Sequence, residues 1–108
     1  MTASAGAAAP AMRSELAIAV DHAAYAGHFP GFPILPGAAL LDEALHEIAR
    51  SRSLDLTQWR LAAVKFLDPV RPGDDLTLEH AATGDSTIRF AIRAASRAIA
   101  SGMLSHGA

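Results

Sequence analysis

The chain turns on the stretch Gly27-His28-Phe29-Pro30-Gly31-Phe32-Pro33-Ile34-Leu35-Pro36-Gly37, which runs straight into Ala38-Ala39-Leu40-Leu41-Asp42-Glu43-Ala44-Leu45-His46-Glu47-Ile48-Ala49-Arg50. The first part cannot be helix. Pro30, Pro33 and Pro36 recur at every third position, and each fixes its own φ and pushes the preceding residue towards extended geometry. Phe29, Phe32, Ile34 and Leu35 are too apolar for a solvated linker, so the reading is an ordered, partly buried loop carrying His28. The second part has helical periodicity from Gly37 or Ala38 to about Arg52. On a wheel with 100° steps, Leu40, Leu41, Ala44, Leu45, Ile48 and Ala49 form one apolar arc, with Glu43, Glu47 and Arg50 opposite. Asp42 is expected at the edge of that arc beside Leu45, half-buried, and Glu43 in solvent. His46 is expected on the solvent flank.

Working outward, Leu16, Ile18 and Val20 alternate with alanines, which predicts a strand over residues 14–21. Residues 1–12 are small and low in complexity and are read as a disordered tail, leaving 13–108 as a single domain. After the helix, residues 59–67 predict a long strand with Arg60, Ala62, Val64 and Phe66 on one face. Pro69, Pro72 and Gly73 break it. Residues 76–82, 87–93 and 97–104 predict three more strands, and the second places Ile88, Phe90 and Ile92 inward against Arg89 and Arg93. One helix followed by four strands lacks the repeated crossovers of a doubly wound sheet. The fold class is therefore α+β, an antiparallel sheet curled around one helix.

Composition narrows function. Of 108 residues 51% are apolar, many of them alanine, so the core is light and a second subunit is expected to cover part of the apolar surface. A formal charge of −2 supplies no field for nucleic acid or an anionic membrane. The lack of cysteine removes disulfides, thiolate metal sites and thiol nucleophiles together. No signal peptide or membrane-spanning run is read, which gives the cytoplasm as the expected compartment. His22, His80 and His106 have no metal-ligand spacing, so no metal is expected.

With these elements placed, Gly27–Gly37 followed by Leu40-Leu41-Asp42-Glu43-Ala44 resembles the signature of the hot-dog-fold β-hydroxyacyl-(acyl carrier protein) dehydratases. Val64-Lys65-Phe66 and Pro69-Val70-Arg71-Pro72-Gly73-Asp74 are similar to a second recurring segment of that family. The resemblance implies dehydration of a β-hydroxyacyl thioester to the trans-2-enoyl thioester, with no cofactor beyond the phosphopantetheine of acyl carrier protein, or coenzyme A, that carries the substrate. It implies His28 as the catalytic base, and Asp42, fourteen residues on, as the acid or water-positioning group. It implies the Gly37 amide as donor to the thioester carbonyl, with Phe29, Gly31 and Pro36 also lining the substrate. It further implies a homodimer, or an oligomer of dimers, in which one chain supplies the histidine and the other the acid of each site. The family's longer enzymes carry an N-terminal Pro-His-Arg-Tyr-Pro-type segment where this sequence has alanines, so the closer likeness is to short accessory-pathway dehydratases of the aryl polyene and pigment type.

The chemistry suits these residue types. Removing a proton next to a thioester carbonyl develops an enolate oxygen, which needs fixed donors such as the free amides at a helix start. An imidazole of pKa about 6.5 suits the base. Hydroxide leaves only if protonated, and half-burial of Asp42 would favour its neutral form. The alternatives are a hot-dog thioesterase and a non-catalytic subunit that binds acyl carrier protein. Asp42 could also serve only to pair with His46 four residues on. Arg71, Arg89, Arg93 and Arg97 are candidates for docking an acidic carrier, though charges alternating on exposed strands ordinarily serve solubility.

Overall fold

The computed structural model describes residues 11–18, 35–84 and 86–106. In chain order these form β1 (Met12–Leu16), α1 (Gly37–Arg52), a 3-10 turn (Leu56–Gln58), β2 (Trp59–Phe66), β3 (Leu76–Ala82), β4 (Thr87–Ala94) and β5 (Arg97–His106). The strands make one antiparallel sheet in the order β1-β3-β4-β5-β2, and α1 lies against it. This is the expected α+β architecture. β1 begins at Met12, two residues before the expected strand and inside the stretch read as tail, and it pairs with β3 from Met12↔His80 to Leu16↔Leu76. Residues 1–10 and 19–34 lie outside the described set, so His28, Phe29 and Gly31 do too.

Alternation explains β3 and β4. Leu76, Leu78 and His80 point inward from β3, and Ile88, Phe90, Ile92 and Ala94 from β4. The apolar members of this set meet Leu40, Ala44 and Ile48 of α1 and Ile99, Ala100 and Leu104 of β5 in one core. Burying each such aliphatic or aromatic side chain contributes about 1.5–3 kcal/mol. Phe90 reaches across to β5, where a Cβ at Gly102 would sit 2.5 Å from its Cζ; only glycine lets the ring lie there.

β2 departs from the expected alternation. Its pairing with β5 shifts register between Ala62 and Lys65, and Ala63 has φ 53°. A bulge of this kind adds a residue to one strand and re-aims the side chains beyond it, so Arg60, Ala62, Val64 and Phe66 do not share a simple face. β2 is also a sheet edge, and Leu61, Phe66 and, just beyond it, Leu67 stay 39%, 53% and 58% exposed. Among the described residues no helix is long and apolar enough to cross a membrane.

The helix obeys its expected bounds but not its expected rotation. Its buried line is Leu40, Ala44 and Ile48, one residue every four. Leu41 and Leu45 are only flanking residues, and the opposite flank, Glu43 and Glu47, is half-buried rather than solvated. Glu47 packs towards β1 with its side chain 17% exposed. Bonds from Arg50 and then Ser14 hold its carboxyl below the usual range, against the opposing effect of burial. The exposed line is Ala38, Asp42, His46 and Arg50.

Candidate active site

Three elements meet at the start of α1. Pro36 is the helix N-cap, with φ −59° and ψ 144°, and makes no side-chain capping bond. A proline side chain offers no acceptor, so nothing on it can satisfy the first-turn amides that every helix leaves without an intrahelical partner. The first internal bond runs from Leu40 N–H to Pro36 O at 3.1 Å. No acidic side chain stands in the first turn, so the positive end of the helix dipole is not neutralised from within the helix. Among the described residues nothing accepts from the N–H groups of Gly37, Ala38 and Ala39, which form a ready donor set.

Gly37 and Ala38 of that set line a groove of about 590 Å³, bounded by Leu35, Pro36, Gly37, Ala38 and Leu40 on one side and residues 66–70 on the other. The Phe66 ring lies directly on Gly37, where a Cβ would come within 2.7 Å of Phe66 Cζ and 2.8 Å of Cε1. Leu35 N–H donates to Val70 O at 2.9 Å and ties the end of the proline loop to the far wall. Leu67 N–H donates to Ile99 O at 2.8 Å, fixing that wall to β5. Arg97 braces it from behind, its Nη1 donating to Asp68 Oδ2 at 2.5 Å and its Nη2 to Asp74 Oδ2 at 3.0 Å. The bond to Asp68 is the chief cause that raises the Arg97 pKa. A second cleft, of about 630 Å³, lies between residues 15–18 and 73–76. Its described ionisable side chains are all carboxylates, Glu15, Asp74 and Asp75, so it offers neither an imidazole base nor a cationic donor there.

Of the residues singled out from sequence, Pro36 and Gly37 thus come together in the groove. Asp42 does not line it. Its side chain is 67% exposed, which corrects the expected half-burial beside Leu45: the buried line of α1 runs through residues 40, 44 and 48, and Asp42 lies on the far side of it. Asp42 Oδ2 is 3.5 Å from His46 Nδ1, whose side chain is 72% exposed, as expected for a solvent flank. Glu43, expected in solvent, is half-buried. Two of the docking candidates are already engaged, Arg97 as above and Arg93 by Glu79 at 3.5 Å. Among the described residues no three His, Cys, Asp or Glu side chains are placed to hold a metal ion.

Sequence reasoning missed two features. Phe66, within the segment Val64-Lys65-Phe66, takes its place over Gly37 through a contact across 29 residues. His80, which has no metal-ligand spacing in the sequence, is only 2% exposed. Arg52 Nε–H donates to His80 Nδ1 at 2.7 Å. The ring proton must then sit on Nε2, which donates to Ser51 Oγ at 3.3 Å, and that hydroxyl donates to Ile48 O at 3.3 Å. With this tautomer Nε2 cannot take a proton from Ser51, so the pair is not a nucleophile and its base. It joins the end of α1 to β3. The alternation of Leu76, Leu78 and His80 was the signal for its burial.

One antiparallel sheet around one helix, with a donor-lined groove at the helix start, defines a hot-dog protein. A family model described as ApeI dehydratase, ApeI-like, matches residues 5–103; the chain belongs to the ApeI-like dehydratase family. It is similar to the 3-hydroxyacyl-(acyl-carrier-protein) dehydratase FabZ of Thermomicrobium roseum, with 37% identity over 70 residues, 57% of this chain and 46% of that protein. The match to FabZ of Geobacter metallireducens is 32% over 83 residues, 62% of this chain and 51% of that one. The chain thus spans about half the length of the curated relatives it matches. The fold is shared with the dehydratase heterocomplex ApeI:P from Xenorhabdus doucetiae, with TM-score 0.70, 24% identity, and 88% of this chain and 85% of that chain covered.

Proposed function

We propose that this chain dehydrates a β-hydroxyacyl thioester, carried on acyl carrier protein, to the trans-2-enoyl thioester. The observation that carries the reading is the start of α1, which has no side-chain cap on Pro36 and whose Gly37 and Ala38 line an apolar groove beside Phe66. The groove is suited to an acyl thioester, and the amides to the charge that develops on its carbonyl oxygen. In this reading the Gly37 N–H binds that oxygen, His28 removes the proton beside the carbonyl, and Asp42 protonates the departing hydroxyl. Family membership supports the reaction, and the FabZ relatives support acyl carrier protein over coenzyme A as the carrier.

Asp42 lies outside the groove of its own chain, which supports a site built from two chains. The exposed acid of one helix then completes the groove of its partner. The apolar edge at Leu61, Phe66 and Leu67 is a surface on which such a partner can be buried. An identical copy is the simplest partner. The fold's occurrence in an ApeI:P heterocomplex makes a second, related chain the specific rival.

The test is turnover of a β-hydroxyacyl thioester on carrier protein, followed by the absorbance of the enoyl product. His28→Ala and Asp42→Asn should each lower kcat by about 10²–10⁴-fold, the usual worth of a positioned acid or base. Folding of Asp42→Asn should be unchanged within about 0.5 kcal/mol, since the site is exposed. Release of free thiol without enoyl product would make the protein a thioesterase instead. Carrier binding without any turnover would make it a non-catalytic subunit.

A further inference from the structure

We propose that His46 is the proton-relay residue that reloads Asp42 between turnovers. The inference rests on the dehydratase reading above, with Asp42 as the acid. Each dehydration breaks a C–H bond, whose proton passes to the base, and a C–O bond, whose oxygen leaves as water with the proton of Asp42. The base ends with one proton too many and Asp42 with one too few. The start is restored when the base loses that proton and Asp42 regains one, and solvent can take the first and supply the second.

The geometry supplies the second route. His46 stands one turn beyond Asp42 on the same helix line, the spacing at which helical side chains meet, and its Nδ1 is 3.5 Å from Asp42 Oδ2. That separation is longer than a formed hydrogen bond, so the two groups must approach for a proton to pass. The His46 side chain is 72% exposed, so its ring can exchange with bulk water while Asp42 is covered in the partner's groove. Arg50, the next residue on this line, does not compete for Asp42. Glu47 holds it through Nε at 2.9 Å and Nη2 at 2.6 Å.

Imidazole is the side chain that both gains and loses a proton near neutral pH. In the step, the imidazolium gives its Nδ1 proton to Asp42 Oδ2, and the neutral ring then takes one from a buffer acid. No other co-reactant is needed. A glutamine at this position could orient the carboxyl group but could not carry a proton, and this separates a relay from a mere support.

The experiment uses the full chain in its assembled form, with β-hydroxyacyl thioester turnover measured for wild type, His46→Gln and His46→Ala. Imidazole buffer is raised at constant ionic strength and pH. The expected result is a kcat about tenfold or more lower in both variants at low buffer, with KM unchanged and saturable recovery as imidazole rises. Wild type should not respond. A His46→Gln enzyme as fast as wild type at low buffer overturns the relay, as does a loss that imidazole fails to restore. Wild type without turnover removes the dehydratase reading itself, and the relay with it.

Discussion

The ring of Phe66 rests on the α-carbon of Gly37, so closely that a methyl group there would lie 2.7 Å from Phe66 Cζ. The contact joins the edge strand β2 to the first residue of α1 and roofs the amides proposed to hold the substrate carbonyl. Phe66 is 53% exposed, so its ring can swing away from an added methyl. Gly37→Ala should therefore change stability by no more than about 1 kcal/mol, the range of helix propensity between glycine and alanine. It should nonetheless lower kcat/KM, because the methyl and the displaced ring both intrude on the groove. Thermal unfolding and turnover measured on the same preparation check this. An unfolded variant, or one with undiminished turnover, contradicts it.

The exposed edge gives the second prediction. Leu61, Phe66 and Leu67 lie on or beside the outermost strand, and burying one leucine contributes about 1.5–3 kcal/mol. Leu67→Ala should thus weaken assembly by roughly tenfold or more per affected contact. Sedimentation at falling concentration would show this as dissociation at higher protein levels than for wild type. Activity should fall with the mass, since in the proposed site the Asp42 of one chain serves the groove of its partner. Activity that stays constant while the assembly dissociates would require a site complete within one chain.

How far these relationships could be read in advance depended on side-chain size. The bounds of α1 and of β3 were legible because Pro36 stops the loop, the helical periodicity runs out at about Arg52, and Leu76, Leu78 and His80 alternate. The rotation of α1 was not. Ala38, Ala39, Ala44 and Ala49 weigh so little on a wheel that the apolar arc could be centred one residue either way, and that shift moved Asp42 from half-buried to exposed. The bulge in β2 hid for the same reason, since Ala62 and Ala63 carry no alternation to disturb. The donor set at Gly37 was legible because a proline N-cap and a following glycine are local signals. The Phe66 roof over it was not, because it needs the register of a strand placed by the rest of the sheet.

Ser53 offers a prediction about stability alone. It ends α1 with φ 55° and ψ 50°, the left-handed conformation, and Leu54 N–H closes the helix on Ala49 O at 3.0 Å. A side chain in that conformation costs about 1–2 kcal/mol, which glycine avoids. Glycine's greater freedom in the unfolded chain offsets part of the gain. Ser53→Gly should therefore stabilise the fold by about 0.5–1 kcal/mol in denaturant unfolding, the remainder of those two opposing effects, and leave turnover unchanged. A loss of stability would mean that the serine hydroxyl makes a compensating bond.

His80 couples the fold to pH. Burial first, and the Arg52 guanidinium second, lower its pKa below the ordinary histidine value, with Glu47 opposing them weakly. The Arg52 Nε–H bond to Nδ1 requires that nitrogen to stay unprotonated. Unfolded chain therefore takes up a proton at this residue at higher pH, near about 6.5, than the folded chain does. Between those two values the unfolded state holds more protons, so stability rises with pH across that window. The contribution is complete above about pH 6.5 and is lost as pH falls towards the folded value. Wild type should lose melting temperature on going from about pH 7.5 to about 5.5 more steeply than His80→Asn, which keeps an oxygen acceptor for Arg52 but cannot titrate. The other histidines are common to both proteins, so the difference in slope isolates His80. Parallel slopes would show that protonating the ring costs the fold nothing, and that the bond to Arg52 does not hold the end of α1 to β3.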